Sequence, residues 1–585
     1  MTDYVFRVGG EGGEGVISTG ELLTLTLARA GFEIYTFRTY PAEIKGGHAN
    51  YQVRASNALL LSQGAAVDVL VAFNEEAYQK HAQDVRSGGA LVYDADSFTP
   101  PANGAVIHYG IPMTSLATEK VGVKLTKNIV ALGVLSRLFD ISFEVFEDLL
   151  KERFARKGEA IVQKNLLALR VGADYAVQQP KRDDIRLGRG SRKTKELVLS
   201  GNESLGLGAI AAGCRIYAGY PITPATDIME FLAKELPKIG GYVVQTEDEI
   251  SAVGVVLGAS YAGKKAMTAT SGPGYSLMTE MIGLAVVAEL PAVIVDVQRV
   301  GPSTGMPTKT EQGDLYLAVY GGHGNCPRIV MALTSVEDCF YGIMRAFNLA
   351  EQFQMPVIVL SDQYLGHRKA TVPVPDPSTV PLVERRKPTT EELRGYQRYR
   401  FTPDHISPMS APGMEGGGYV AEGLEHTEIG YPAASDHENH LRLTQKRYGK
   451  FHAVESIANE LVRFYGEAHP EIGVIGWGST EGVIREAVQM AQDQGYSVGA
   501  LHTKILYPQP LAKLTEFING TKAVIIPEVN FTGQFATLLR KRFAYDFIQL
   551  NKCVGLPFTP KEIFDKIEEA ANHVHSRRRD LAPKL

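Results

Sequence analysis

Two prolines bracket a single hydroxyl in Ala218-Gly219-Tyr220-Pro221-Ile222-Thr223-Pro224, directly after an apolar, strand-like run. Proline fixes its own φ and pushes the residue before it into extended geometry, so Tyr220 and Thr223 are held at preset angles. The strand must stop at this rigid corner. A stiff Thr at a strand end can aim its hydroxyl at a ligand, and a plain strand-terminating turn has the same pattern.

Further motifs follow in order. Val244-Gln245-Thr246-Glu247-Asp248-Glu249 leads into a small-residue helix pattern from Ile250 to Ala262, and then comes Thr270-Ser271-Gly272-Pro273-Gly274-Tyr275. Val293-Ile294-Val295-Asp296-Val297-Gln298-Arg299 runs into Val300-Gly301-Pro302-Ser303-Thr304-Gly305, followed by Gln312-Gly313-Asp314-Leu315, Gly322-His323-Gly324 and Gly476-Trp477-Gly478-Ser479. This series resembles the α subunit of the 2-oxoacid:ferredoxin oxidoreductases, thiamine-diphosphate enzymes that oxidise 2-oxoacids to acyl-CoA. The N-terminal third is similar to the γ subunit of that family, so the resemblance spans nearly the whole chain.

At 585 residues the chain is too long for one core and should hold several domains. Its 44% hydrophobic and 21% charged residues describe an ordinary globular protein, and a net charge of −5 argues against a nucleic-acid partner. No apolar run is long enough to span a bilayer. Met1 to Arg7 enters a strand pattern directly, without the layout of a signal peptide, so a cytoplasmic location is expected. The four cysteines, Cys214, Cys326, Cys339 and Cys553, are scattered without a C-x-x-C pair. They cannot supply an iron–sulfur motif, which needs closely spaced thiolates.

The expected fold class is α/β and multidomain. Residues 1–175 read as strand, glycine loop, helix and further strands, 176–195 as a polar, basic linker, and 196–370 as a second α/β unit. Residues 371–450 form an extended connection of a length that is more often functional or interface-forming than idle. Residues 451–585 form a third α/β unit. In terms of the resemblance these are a γ-type Rossmann-like domain, a pyrimidine-binding domain and a transketolase C-terminal-like domain.

Two glycine motifs need separate treatment. Gly258-Ala259-Ser260-Tyr261-Ala262-Gly263-Lys264 has P-loop spacing, but Lys265 follows where Ser or Thr is required, and a helix precedes it; it reads as a helix C-cap. Gly10-Glu11-Gly12-Gly13-Glu14-Gly15 fits G-x-G-x-x-G between a strand and a helix, a setting that can cradle a pyrophosphate on backbone N–H groups. The second strand ends without a ribose-binding carboxylate, which weakens a nicotinamide assignment. The resemblance implies that Gly10, Gly12, Gly13 and Gly15, with Lys45, Gly46 and Gly47, face coenzyme A. A tight turn for strand–helix packing remains the alternative.

The resemblance also implies roles. Glu249 matches the carboxylate that activates thiamine diphosphate through its aminopyrimidine; otherwise Glu247, Asp248 and Glu249 are first-turn acids favoured by the helix dipole. Tyr220, Pro221, Ile222, Gly272, Pro273 and Gly274 would border the cofactor. Arg299 can fork onto the oxoacid 1-carboxylate, and Thr223, Ser303 and Thr304 can serve substrate oxygens. His323 reads as structural, and His426, His437 and His440 receive no role; no metal ligands are expected. No Gly-Asp-Gly segment occurs. Mg²⁺, the diphosphate half and a [4Fe-4S] cluster are therefore expected on a β subunit, with ferredoxin as acceptor and an (αβ)₂ heterotetramer as assembly.

The leading expectation is oxidative decarboxylation of 2-oxoglutarate with CoA to succinyl-CoA, CO₂ and reduced ferredoxin. Pyruvate or another oxoacid, a non-oxidative thiamine enzyme, and a noncatalytic CoA- or nucleotide-binding protein are the alternatives.

Overall fold

The computed structural model describes residues 2–41, 46–180, 184–192 and 196–581. They divide into two compact units, Met1–Leu199 with His367–Val374, and Ser200–Gly366 with Pro375–Leu585.

The first unit is built on strands β1 (Asp3–Glu11), β2 (Glu33–Thr39), β3 (His48–Ser56), β4 (Val67–Ala72), β5 (Val85–Asp94), β6 (Ile107–Ile111) and β7 (Glu196–Ser200), with β14 (Lys369–Pro373) arriving from far along the chain. Their order is β6-β5-β4-β1-β3-β2-β14-β7. The β1-β4-β5-β6 half is parallel and Rossmann-like. In the other half β3 lies antiparallel between β1 and β2. All six residues of β4 are buried, which is why Val-Asp-Val-Leu-Val-Ala reads as one nearly continuous apolar run: a parallel strand is covered on both faces.

The stretch expected to be a polar, basic linker is anchored at alternate residues where it is described. Ile185 and Leu187 are buried in the core of this unit. Arg192 donates to the carbonyls of Phe32 at 2.6 Å and Ala28 at 2.9 Å, so its charge sits at the C-terminal end of the helix Val16–Arg29, where the helix dipole favours a cation. Arg186 and Arg189 are exposed, while Leu187 between them is buried.

The second unit carries two sheets. One has β8 (Ile216–Gly219), β9 (Tyr242–Gln245), β10 (Ala266–Thr270), β11 (Ala292–Gln298), β12 (Ile329–Ala332), β13 (Pro356–Asp362) and β18 (Ile505–Tyr507), in the order β18-β12-β13-β11-β10-β8-β9. All its pairings are parallel except the edge pairing of β18 with β12. The other has β15 (Arg463–Gly466), β16 (Ile472–Trp477), β17 (Val498–Thr503), β19 (Ala523–Glu528) and β20 (Ile548–Asn551), in the order β15-β17-β16-β19-β20. The P-loop-like glycine segment closes the helix Glu249–Tyr261: Gly263 takes φ +80°, its N–H bonds Ser260 O, and the Lys264 N–H bonds Ala259 O, the hydrogen-bond pair of a Schellman cap.

Much of 374–436 lacks regular structure yet is firmly anchored. Arg385 makes a two-pronged contact with Glu351, both prongs at 2.6 Å and both side chains buried. Lys446 and Lys450 converge on the buried Glu289 at 2.6 and 2.8 Å, and Arg398 donates to the Glu289 carbonyl at 2.7 Å. Burial alone would raise the Glu289 carboxyl, but the two ammonium groups override it and hold Glu289 well below the usual carboxylate range. His426 is fully buried, its ring nitrogens 3.1 Å from the carbonyls of Thr427 and Val287.

Candidate functional site

The strands β11, β10, β8 and β9 are consecutive neighbours in one parallel sheet. Each delivers one sequence motif at its carboxyl end: Arg299 after β11, Gly272-Pro273-Gly274 after β10, Tyr220 to Thr223 after β8, and Glu249 after β9. Open α/β sheets bind ligands at such strand ends.

Arg299 is 7% exposed, and its Nη1 donates to the main-chain carbonyl of Thr223 at 2.6 Å. The contact joins two motifs 76 residues apart, through the Thr223 backbone rather than its hydroxyl. Asn202 secures the same turn by donating to the Pro224 carbonyl at 2.9 Å. Tyr220 is 42% exposed at the head of the turn. Residues 301–305 fold as a tight loop in which Ser303 takes φ +55° and Gly305 φ +56°. A Cβ on Gly305 would stand 1.8 Å from the Val300 carbonyl, so only glycine fits. Ser303 and Thr304 are exposed on this loop.

Among the three consecutive acids, the helix cap falls to Asp248, whose carboxylate accepts from the Ser251 N–H at 2.7 Å. Glu247 is exposed. Glu249, the first residue of the helix Glu249–Tyr261, is only 5% exposed and turns toward the glycine–proline–glycine turn. A Cβ on Gly274 would lie 2.4 Å from Glu249 Oε1 and 2.1 Å from Thr270 Oγ1. The glycine thus leaves room for a carboxylate that meets no hydrogen-bond donor among the described residues. A nearly buried carboxylate without a donor suits a site where a bound ring supplies one. On this ground the residues fit the aminopyrimidine of thiamine diphosphate.

A second pair of carboxyls lies at the same strand ends and escaped sequence reasoning. Asp296, in β11, is fully buried and faces Asp314, which lies against Gly272: a Cβ there would be 2.8 Å from Asp314 Oδ2. Burial first, then the charge of Asp314, pushes Asp296 well up; burial first, then the charge of Glu311, pushes Asp314 up to about 6, against the lowering contact with Asp296. Burial pulls Arg299 downward, against the opposing pull of both acids. Asp314 was visible only as part of Gln312-Gly313-Asp314-Leu315. Gln312 of that motif donates to the Trp477 carbonyl at 3.2 Å and exchanges hydrogen bonds with Val529, so it joins the Gly476-Trp477-Gly478-Ser479 motif to this sheet.

In the first unit the Gly10–Gly15 loop is closed by its own side chain. The Glu14 carboxylate accepts from the Glu11 N–H at 2.8 Å, from Asn74 Nδ2 at 2.9 Å and from Lys127 Nζ at 2.5 Å. The Gly12 N–H is taken by the Gly47 carbonyl at 2.9 Å, and a Cβ on Gly12 would stand 2.8 Å from the Gly46 carbonyl. Two backbone donors of the loop are thus already engaged, the Glu11 N–H by the Glu14 carboxylate and the Gly12 N–H by the Gly47 carbonyl. Gly15 begins the helix Val16–Arg29 at φ +86°, and Gly13, at φ +103°, has open space before it. Lys45, with Glu43 and Ile44, lies outside the described residues. A cavity of about 560 Å³ borders Met281, His323, Cys326, His440 and Arg447, at the far end of the helix Gly272–Val287 from the turn that starts it.

Comparison with known proteins places this architecture. Residues 207–446 match the thiamine-diphosphate-binding model of pyruvate flavodoxin/ferredoxin oxidoreductases, residues 5–175 the pyruvate ferredoxin/flavodoxin oxidoreductase model, and residues 470–551 the core domain II model of pyruvate:ferredoxin oxidoreductase. The fold is that of a thiamine-diphosphate-binding oxidoreductase component. The chain belongs to the 2-oxoacid:ferredoxin oxidoreductase family. It is 33% identical to subunit alpha of 2-oxoacid:ferredoxin oxidoreductase 2 of Aeropyrum pernix, over 92% of this chain and 93% of that protein. It is also 33% identical to the 2-oxoglutarate oxidoreductase subunit KorA of Mycobacterium tuberculosis, over 96% and 91%. The 2-oxoglutarate:ferredoxin oxidoreductase of Magnetococcus marinus, solved with 2-oxoglutarate, coenzyme A and succinyl-CoA bound, aligns at 44% identity with a TM-score of 0.93, covering 97% of this chain and 99% of that one. Among the described residues, no helix is long and apolar enough to cross a membrane.

Proposed function

We propose that this chain is the fused γ–α subunit of a 2-oxoglutarate:ferredoxin oxidoreductase. With a β subunit it oxidatively decarboxylates 2-oxoglutarate, yielding succinyl-CoA from CoA, CO₂, and two electrons that pass singly to ferredoxin. The observation that carries this reading is the convergence of Glu249, Gly272-Pro273-Gly274, Thr223 and Arg299 at four adjacent strand ends. The choice of 2-oxoglutarate is supported by the ligands of the Magnetococcus marinus relative and by the relatives named KorA.

Thiamine diphosphate, when bound, supplies the carbon nucleophile that attacks the oxoacid carbonyl and takes up the electrons left by decarboxylation. Glu249 would hold the pyrimidine half, with Tyr220, Pro221, Ile222 and the glycine–proline–glycine turn beside it. Arg299 binds the 1-carboxylate. Its bond to the Thr223 carbonyl fixes the plane of the guanidinium and leaves the rest of the fork for a carboxylate. The Thr223 hydroxyl and the Ser303 and Thr304 hydroxyls serve the substrate oxygens. The β subunit holds the diphosphate, Mg²⁺ and a [4Fe-4S] cluster, in an (αβ)₂ assembly. CoA is received on the γ-type unit, near Gly13 and Gly15 rather than in a cradle at Gly10 and Gly12.

The test is copurification of the chain with its native partner, followed by viologen reduction. Reduction should require both 2-oxoglutarate and CoA. A kcat/KM that strongly favours pyruvate would overturn the substrate, and turnover by the isolated chain would overturn the need for a partner.

A further inference from the structure

We propose that Asp296 and Asp314 form a one-proton acid pair that balances the charge of Arg299, the group that receives an oxoacid carboxylate. The inference deepens the reading above and rests on Arg299 being the carboxylate-binding group.

The geometry is specific. Asp314 precedes the helix Leu315–Tyr320 but makes no side-chain cap bond to it, so its carboxyl is turned to another purpose. Its main-chain N–H is held by Gln298 Oε1 at 3.1 Å, and Gln298 Nε2 is held in turn by the Ser361 carbonyl at 3.0 Å. The backbone on both sides of the pair is thereby fixed. Among the described residues, neither oxygen of Asp296, nor Oδ2 of Asp314, meets an N–H or O–H donor, and Arg299 Nε is likewise buried without an acceptor. Two ionised carboxylates are acceptors only and cannot bond each other; buried face to face, they must keep one proton between them.

The charged and titratable groups facing the pair are few. Arg299 comes from the end of β11, Glu311 from the segment before the helix, and Tyr275 from the helix Gly272–Val287, with Arg328 beyond Tyr275. Glu249 stands against Gly274 of the same turn that Asp314 touches at Gly272. With one proton on the pair, a single negative charge answers the single positive charge of Arg299. With two protons the guanidinium loses that counter-charge and draws an incoming carboxylate more strongly. The pair touches neither substrate nor cofactor; it acts through Arg299.

The assembled complex is the material for the test. At neutral pH, the infrared difference spectrum of the unliganded parent against Asp296→Asn should contain a protonated-carboxyl C=O band that shifts in D₂O. KM for the oxoacid should fall about fivefold as pH is lowered through the titration of the pair. Asp314→Asn should flatten that profile, the change lying in KM while kcat moves far less. Should Asp296→Asn fail to assemble, Asp314→Asn serves for the spectrum, because removing the carboxylate that shares the proton shifts or abolishes the band. Absence of the band, or an Asp314→Asn profile that superimposes on the parent, overturns the proposal. A complex that turned over no oxoacid would instead sink the functional reading, with the band still deciding on the pair.

Discussion

Arg299 Nη1 lies 2.6 Å from the carbonyl oxygen of Thr223, so the guanidinium is tied to the backbone of the rigid proline turn. A side chain that long loses considerable rotamer freedom when a ligand immobilises it. Here the loss is already taken in the folded state, and a bound carboxylate meets a group that is in place.

Arg299→Lys keeps the charge but cannot bond the Thr223 carbonyl and fork onto a carboxylate together. KM for the oxoacid should rise about tenfold or more, with a smaller effect on kcat. Steady-state kinetics of the purified complex decide it. Unchanged KM for every oxoacid tested would remove Arg299 from the site.

Glu249→Gln preserves size and removes the charge. Turnover should drop about a hundredfold or more with the assembly intact, by analogy with other positioned proton-transfer groups. Exchange of the C2 proton of bound thiamine diphosphate, read by NMR after quenching, locates the loss. Exchange at the parent rate would leave Glu249 as a helix-start acid.

Gly274→Ala would drive a methyl to within 2.4 Å of Glu249 Oε1. Activity should fall sharply while Gly258→Ala, in the helix Glu249–Tyr261 where nothing lies within 4 Å, leaves turnover intact and adds about 0.5–1 kcal/mol of stability. Thermal denaturation alongside kinetics separates the two. Equal behaviour of the two variants would show that the turn has slack.

Glu14→Gln removes the partner of Lys127 and weakens the closed loop. Tm should fall, with a cost of about 1–3 kcal/mol. If CoA is bound near Gly13 and Gly15, KM for CoA should rise as the loop loosens. A lowered Tm with normal CoA dependence would make the loop a turn alone.

Glu289 is held below its ordinary value, so its contribution is present above pH 4.5 and fades as pH falls below that. Stability measured by denaturant should decline with acid through this window in the parent. Glu289→Gln should remove that part of the slope and cost about 3–5 kcal/mol at neutral pH, because two buried lysines lose their counter-charge. A parallel acid slope in the variant would assign it to other carboxylates.

The motifs at strand ends were legible because each depends on local chemistry: prolines that stop a strand, glycines that admit a neighbour, a charged residue where an apolar run ends. The helix cap at Gly263 was legible for the same reason. The Asp296–Asp314 pair was not, since one acid sits inside an apolar strand and the other in a loop, and only the fold makes them neighbours. The strands β14 and β18 are too short to show a period and exist because an edge of a sheet is waiting for them. The irregular stretch after Pro373 gave no pattern because what secures it, Arg385 on Glu351 and Arg398 on the Glu289 carbonyl, joins residues far apart in sequence. That the Glu14 carboxylate closes its own loop, through the Glu11 N–H and Lys127, needed the coordinates.

β14 bears on how the protein is made. It slots between β2 and β7, yet it is synthesised only after six strands of the other unit. On the ribosome, the N-terminal sheet therefore waits with an unfilled gap beside β2, a row of bare N–H and C=O groups that invites pairing with a stranger. Gene order and folding order part company here. A nascent chain stalled before residue 369 would be the form most in need of a chaperone.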